Sequence, residues 1–129
     1  MKVKDVMKRN VVSVDVDSSL ADVKKKMIEN NVNFVVVKAG GEIVGVISDT
    51  DILAYATKGK RLEDLKAEKY MTACKLEGTN PCLQVFEDDP LEEAATIMAA
   101  TGVHHLLVWG KSGYPAGVIT SDDILKVVK

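Results

Sequence analysis

The sequence predicts a mixed α/β (α+β) fold, with two β-α-β-β-α repeats packed by pseudo-twofold symmetry into one module. Three observations carry this expectation. The phrase Gly45-Val46-Ile47-Ser48-Asp49-Thr50-Asp51 returns as Gly117-Val118-Ile119-Thr120-Ser121-Asp122-Asp123. In both copies an apolar strand runs into a hydroxyl residue, an Asp follows three positions later, and a helix continues Ile-Leu. Leu20 and Leu91, Met27 and Met98, and Val32 and Val103 each stand 71 positions apart, and a constant offset along a whole helix marks an internal duplication. Finally, the 129 residues divide into halves of roughly 60, a size at which only about 60% of the unfolded surface is buried. Such halves are marginal alone and are expected to fold together.

The elements follow in order. Val11-Val12-Ser13-Val14 and Leu83-Gln84-Val85-Phe86 read as the first strand of each repeat. Leu20, Val23, Met27 and Ile28 then form a helical stripe at i, i+3, i+7, i+8, with Asp17-Ser18-Ser19 supplying cap residues. The second copy is Leu91, Ala94, Ala95 and Met98, with Asp89 as N-cap and Pro90 at the first helical position. Val35-Val36-Val37 and Leu106-Leu107-Val108 read as buried middle strands. Turns follow at Ala39-Gly40-Gly41 and Lys111-Ser112-Gly113, then strands from Ile43 to Ile47 and from Ala116 to Ile119. Gly45 and Gly117, like Asp51 and Asp123, are 72 apart, so the second hairpin carries one extra residue. The closing helices begin at Ser48 and Thr120, the first stopping near Lys58-Gly59 at a C′ glycine.

Met7 and Met71 lead the two repeats but are only 64 apart, so the second copy has an insertion between Met71 and Leu83 that holds Cys74 and Cys82. The polar, helix-prone segment Lys60 to Glu68 reads as a connector. The expected division is 1–59 for the first repeat, 60–68 for the connector and 69–129 for the second.

Composition excludes several function classes. A hydrophobic content of 47% with 28% charged residues is ordinary for a globular protein. The net charge of −2 is spread over interspersed residues, which argues against a nucleic-acid partner. Lys24-Lys25-Lys26, with Asp22 and Glu29 nearby, reads as a solvated helix face. No apolar run approaches the ~20 residues of a membrane span, and Met1-Lys2-Val3-Lys4-Asp5 lacks the apolar core of a secretory signal. A cytoplasmic protein without membrane contact is expected. Two cysteines lack the further ligands a zinc site needs; whether they pair is left open. No nucleophile elbow, metal-ligand cluster or P-loop is present, so the chain is not read as an enzyme.

The doubled Gly-hydrophobic-hydrophobic-Ser/Thr-x-x-Asp phrase, the element order, the leading methionines and the Leu-x-x-Val/Ala-x-x-x-Met stripe resemble the CBS domain, named for cystathionine β-synthase, in its tandem and stand-alone form. The resemblance covers essentially the whole chain. It implies clefts between two repeats that bind adenosine-containing ligands, AMP, ADP, ATP or S-adenosylmethionine, and a role in regulating an associated protein. The family often carries proline in the middle strand where this chain has Val36 and Leu107. The insertion after Met71 is a second departure.

Asp51 and Asp123 are the expected ribose ligands, since a carboxylate accepts charge-assisted hydrogen bonds from vicinal hydroxyls. The same Ser/Thr-x-x-Asp spacing is also a helix capping box, and both roles can coexist. Ser48 and Thr120, at helix N-termini that attract anions, are candidates for ribose or phosphate contact. By resemblance to family members with a His-Arg pair facing ligand phosphates, His104 and His105 are phosphate candidates; each also reads as a structural histidine, and alternation puts them on opposite faces. Asn33-Phe34 fills that place in the first repeat without positive charge. The phosphate-rich ligand is therefore expected at the second repeat.

Adenine candidates carried over from the family are Val12, Ser13 and Val35 in the first repeat and Leu83, Gln84 and Leu106 in the second, all equally readable as core strand. Lys58, Lys60 and Arg61 read as solvated. The expected function is a regulatory ligand-sensing module acting on a separate protein, with an assembly module of empty clefts as the alternative. A homodimer is expected through the Ala-rich helix Glu93 to Ala100 with Val23, Met27 and Ile28, residues that burial within the chain also explains.

Overall fold

The structure is a computed structural model that describes residues 1–73, 84–111 and 115–129. The chain divides into two compact units, Val12–Cys82 and Met1–Val11 together with Leu83–Lys129. Each is built around one β-α-β-β-α repeat.

The Val12–Cys82 unit opens with β1 (Ser13–Asp15), α1 (Leu20–Asn30), β2 (Phe34–Ala39), β3 (Glu42–Ser48) and α2 (Asp49–Ala56). Ser19 caps α1 by accepting the Asp22 N–H at 3.1 Å. The helix carries the chain over so that β2 pairs parallel to β1, since parallel neighbours need a crossover. Between β2 and β3, Gly40 and Gly41 both take positive φ, 58° and 89°. Two such residues make the two-residue turn whose twist suits antiparallel strands, and Ala39 pairs directly with Glu42.

Two further elements complete this unit, α3 (Ala67–Tyr70) and β4 (Thr72–Ala73). β4 pairs antiparallel with β3, closing the order β1-β2-β3-β4. The segment read from sequence as a connector is packed into the unit: Leu65 and Ala67 are 8% and 0% exposed, in one core with Leu20, Val23, Val35 and Ile47. Backbone bonds from Leu20 N–H to Leu65 O (2.8 Å) and from Ala67 N–H to Ser18 O (2.8 Å) stitch it down. The apolar positions within its polar sequence are the ones that turn inward. Lys58, Lys60 and Arg61 are exposed.

The other unit repeats the pattern as β5 (Gln84–Phe86), α4 (Leu91–Thr101), β6 (His105–Trp109), β7 (Pro115–Thr120) and α5 (Ser121–Leu125). Its sheet order is β5-β6-β7. Pro90, rather than Asp89, stands at the N-cap of α4; the Asp89 carboxylate instead accepts the Phe86 N–H at 2.9 Å across the preceding turn. The N-terminal residues belong to this unit. Val3 is fully buried beside Val85, Leu106 and Ile119, with Val3 N–H on Asp89 O (2.9 Å) and Leu91 N–H on Met1 O (3.0 Å).

Alternate residues of the middle strands fill the two cores: Val35 and Val37 in one, Leu106 and Val108 in the other. Val36 and Leu107 on the opposite faces are also fully buried, as expected of strands apolar throughout. The Val36 N–H donates to Val12 O at 2.9 Å, a ladder bond that a proline at this position could not make. Val23 and Met27, offered as a dimer face, are 0% and 5% exposed within their own core. Of that stripe only Ile28 reaches solvent, at 72%. Both cysteines and the Ser112-Gly113 turn lie outside the described residues.

Candidate ligand site

The doubled phrase lies where a strand hands over to a helix. At the first junction, the Ser48 N–H and hydroxyl both donate to Asp51 Oδ2, at 2.9 and 3.1 Å. Ser48 Oγ also lies 2.9 Å from Thr50 Oγ1. At the second, the Thr120 N–H donates to Asp123 Oδ2 (3.0 Å) while the Asp123 N–H donates back to Thr120 Oγ1 (3.2 Å). The capping reading therefore holds at both. It occupies one oxygen of each carboxylate, and Oδ1 is the oxygen the cap does not use.

The expectation of free amides for an anion fares differently. Asp49 N–H donates to Asn33 O (3.0 Å) and Ser121 N–H to His104 O (2.8 Å), and Thr50 N–H donates to Asp49 Oδ1 (2.8 Å). With the Ser48 and Thr120 amides held by aspartates, the amides of Ser48, Asp49 and Thr50 at the first junction and of Thr120, Ser121 and Asp123 at the second are engaged internally. α5, of five residues, is also too short for an appreciable dipole. Phosphate contact at Ser48 or Thr120 gains no support from backbone donors.

The glycines of the phrase do something the sequence reading did not assign. A Cβ on Gly45 would collide with Met71 Sδ and come within 2.9 Å of Thr72 O; one on Gly117 would collide with the carbonyl oxygen of Lys8. The glycines let another stretch of backbone cross the strand. β4 crosses at Gly45. At Gly117 the crossing residue is Lys8, bridged to Val118 by Lys8 N–H to Val118 O (2.9 Å) and Val118 N–H to Lys8 O (2.8 Å).

That crossing brings in a residue absent from the sequence-based site. Lys8 Nζ lies 3.5 Å from Asp123 Oδ1, pairing a cation that is 57% exposed with a carboxylate that is 6% exposed. Asp51 is half-buried. The two junctions share their cap geometry and differ in burial and charge.

The remaining candidates separate. His104 is exposed and His105 half-buried, as alternation requires, and the His104 carbonyl serves α5. Val12, Val35 and Leu106 are 8%, 0% and 0% exposed and belong to the cores. Ser13 is half-buried, its carbonyl accepting Lys26 Nζ at 2.6 Å. Gln84 Oε1 accepts the Trp109 indole N–H. Leu83 lies outside the described residues. A groove of about 380 Å³ along β1 and α1 takes in Ser13 alone of the described candidates, alongside Asp15, Lys26 and Lys38. Among the described residues, no cluster suited to a metal occurs, and no helix is long and apolar enough to cross a membrane.

The architecture and its paired junctions define a tandem β-α-β-β-α repeat protein with a capped carboxylate in each copy. The CBS domain model matches twice, over residues 3–58 and 76–129, and the chain belongs to the CBS domain family. A Methanocaldococcus jannaschii protein is 34% identical over 93 residues, 72% of this chain; the chain spans only 20% of that relative's length. Solved structures are similar in fold. A CBS domain protein from Pyrobaculum aerophilum complexed with AMP superposes with TM-score 0.81 at 24% identity, covering 95% of this chain and 89% of that one. A CBS domain pair in complex with 5′-methylthioadenosine and S-adenosyl-L-methionine gives TM-score 0.81 at 23% identity, covering 98% and 94%.

Proposed function

We propose that the chain is a regulatory ligand-sensing module. It binds adenosine-containing ligands of the AMP, ADP, ATP or S-adenosylmethionine type, with Asp51 and Asp123 as the ribose contacts, and modulates a separate protein. The observation that carries this reading is the capped carboxylate in each repeat. The cap fixes its orientation through Oδ2 and does not use Oδ1, the oxygen that would accept hydroxyl hydrogen bonds; at Asp123 that oxygen lies 3.5 Å from Lys8 Nζ. The similar folds solved with AMP and with 5′-methylthioadenosine and S-adenosyl-L-methionine support the ligand class. A ligand signals only by differing in affinity for two states of its receptor, and the receivers in this reading are a second copy of the chain, in a homodimer, and the separate protein. Leu53 and Leu125, at equivalent places in α2 and α5, are 60% and 69% exposed and suit such a contact.

The test is titration with AMP, ATP and S-adenosylmethionine, read by Trp109 fluorescence and melting temperature. Ligand at 100 times its dissociation constant stabilises by about 2.7 kcal/mol. If none of the three shifts either signal at millimolar concentration, the reading falls and an assembly role takes its place.

A further inference from the structure

We infer that Lys8 sets the charge of the ligand that the Asp123 junction accepts. Adenosine ligands with an anionic group beyond the 5′ carbon are favoured, and cationic ones such as a sulfonium are disfavoured. This rests on the proposed reading of Asp123 as a ribose contact and adds the residue that discriminates among ligands.

Three observations converge on Lys8. Its backbone is pinned, since two hydrogen bonds to Val118 at 2.9 and 2.8 Å hold the residue on β7, and Gly117 leaves the room for it to lie there. The stem therefore starts from a fixed point. Its ammonium lies 3.5 Å from Asp123 Oδ1, the oxygen the Thr120 cap leaves over. Finally, the other junction supplies an internal control. Val46 stands to Val118 as Asp51 does to Asp123, 72 positions earlier, and Val46 pairs with Thr72 where Val118 pairs with Lys8. The place of the lysine is taken by a neutral residue.

Ligand binding and the ion pair compete for one oxygen. Ribose hydroxyls donating to Oδ1 displace the ammonium from a carboxylate that is almost fully buried, and a charge separated from its partner is costly. The exposed, flexible lysine regains a partner when the same ligand carries a phosphate next to its ribose. A neutral adenosine gives it nothing, and a sulfonium sets like charges against each other. The lysine thus makes the second junction an anion-selective one.

The experiment is calorimetric titration of the full chain with AMP, adenosine and S-adenosylmethionine. Wild type is compared with Asp51→Asn, in which an amide oxygen still accepts the Ser48 N–H while an NH2 group replaces the other acceptor oxygen, so that the second junction alone reports. Lys8→Met, which keeps the apolar stem, is then added to that background. The expected result is a loss of about tenfold in AMP affinity on Lys8→Met, the scale of one hydrogen bond to a charged group. Adenosine affinity is unchanged or higher, and S-adenosylmethionine affinity is raised. Lys8→Arg retains the AMP preference. In wild type carrying Thr72→Lys, the first junction gains preference for AMP over adenosine.

Equal loss of AMP and adenosine on Lys8→Met makes the lysine merely structural and overturns the inference, as does no change for any ligand. Binding by wild type but not by the Asp51→Asn background also overturns it while leaving the proposed function standing. No binding by wild type removes both.

Discussion

Gly117 leaves the room that lets the Lys8 backbone cross β7. Replacing it with alanine adds one methyl group, and the backbone there does not have the positive φ that a side chain would strain. Alanine's smaller unfolded-state entropy would by itself stabilise by about 0.4–1 kcal/mol, so any loss comes from what the methyl meets, which is the carbonyl oxygen of Lys8, with Arg9 Cα at 3.3 Å. Backbone atoms cannot rotate aside, so two outcomes are available. Either the segment lifts and loses the two Lys8–Val118 hydrogen bonds, worth about 0.5–1.5 kcal/mol each, or the unit absorbs an overpacked methyl at about 1–3 kcal/mol. Both routes cost about 1–3 kcal/mol before that offset. They differ in hydrogen exchange: lifting exposes the Lys8 and Val118 amides together, and strain leaves both protected.

Gly45→Ala is the matched control. Its first obstacle is the Met71 side chain, which can move, although Thr72 O at 2.9 Å remains. It should cost less than Gly117→Ala. Urea unfolding with an unchanged slope reports the difference. If Gly117→Ala is as stable as wild type and Lys8 stays protected, the glycine is not there for the crossing segment and the account fails.

Other substitutions test the same structure at different points. Asp123→Ala should destabilise by about 1–2 kcal/mol, because it leaves a Thr120 N–H without its acceptor and Lys8 without its carboxylate. Asp51→Ala, at a half-exposed site, should cost about 1 kcal/mol or less; equal unfolding midpoints for the pair would show that burial at Asp123 carries no weight. Leu65→Ala should cost about 2–5 kcal/mol as a core truncation, whereas a solvated connector would tolerate it within about 0.5 kcal/mol, and chemical denaturation separates the two.

Much of the fold was legible because duplication makes each half a check on the other. A stripe such as Leu20, Val23 and Met27 is weak evidence alone and strong evidence when Leu91, Ala94 and Met98 repeat it. The turn at Gly40-Gly41 was legible for a local reason: two positive-φ residues in a row leave little besides a tight hairpin. Leu65 and Ala67 were not, since two apolar residues among charged neighbours give no period, and only tertiary contact turns them inward. The cap at Asp89 was displaced by one residue because its carboxylate found an earlier N–H in a turn, a competition local to this chain.

The candidate site was legible only in its local half. Ser48 with Asp51, and Thr120 with Asp123, are three residues apart, and spacing alone specifies their geometry. Lys8 is 115 positions from Asp123, and no motif connects them. One signal was present. The leading methionines stand 64 apart where the rest of the repeat keeps 71 or 72, so these residues follow a register separate from the strands behind them. The structure gives that separation a physical meaning, because the residue after Met7 lies against β7 and the residue after Met71 lies in β4 against β3. Each glycine of the doubled phrase therefore marks where a segment arrives from far along the chain. What arrives is a lysine at one and a threonine at the other. Two junctions that read alike over seven residues are thereby made chemically unequal by residues no local window contains.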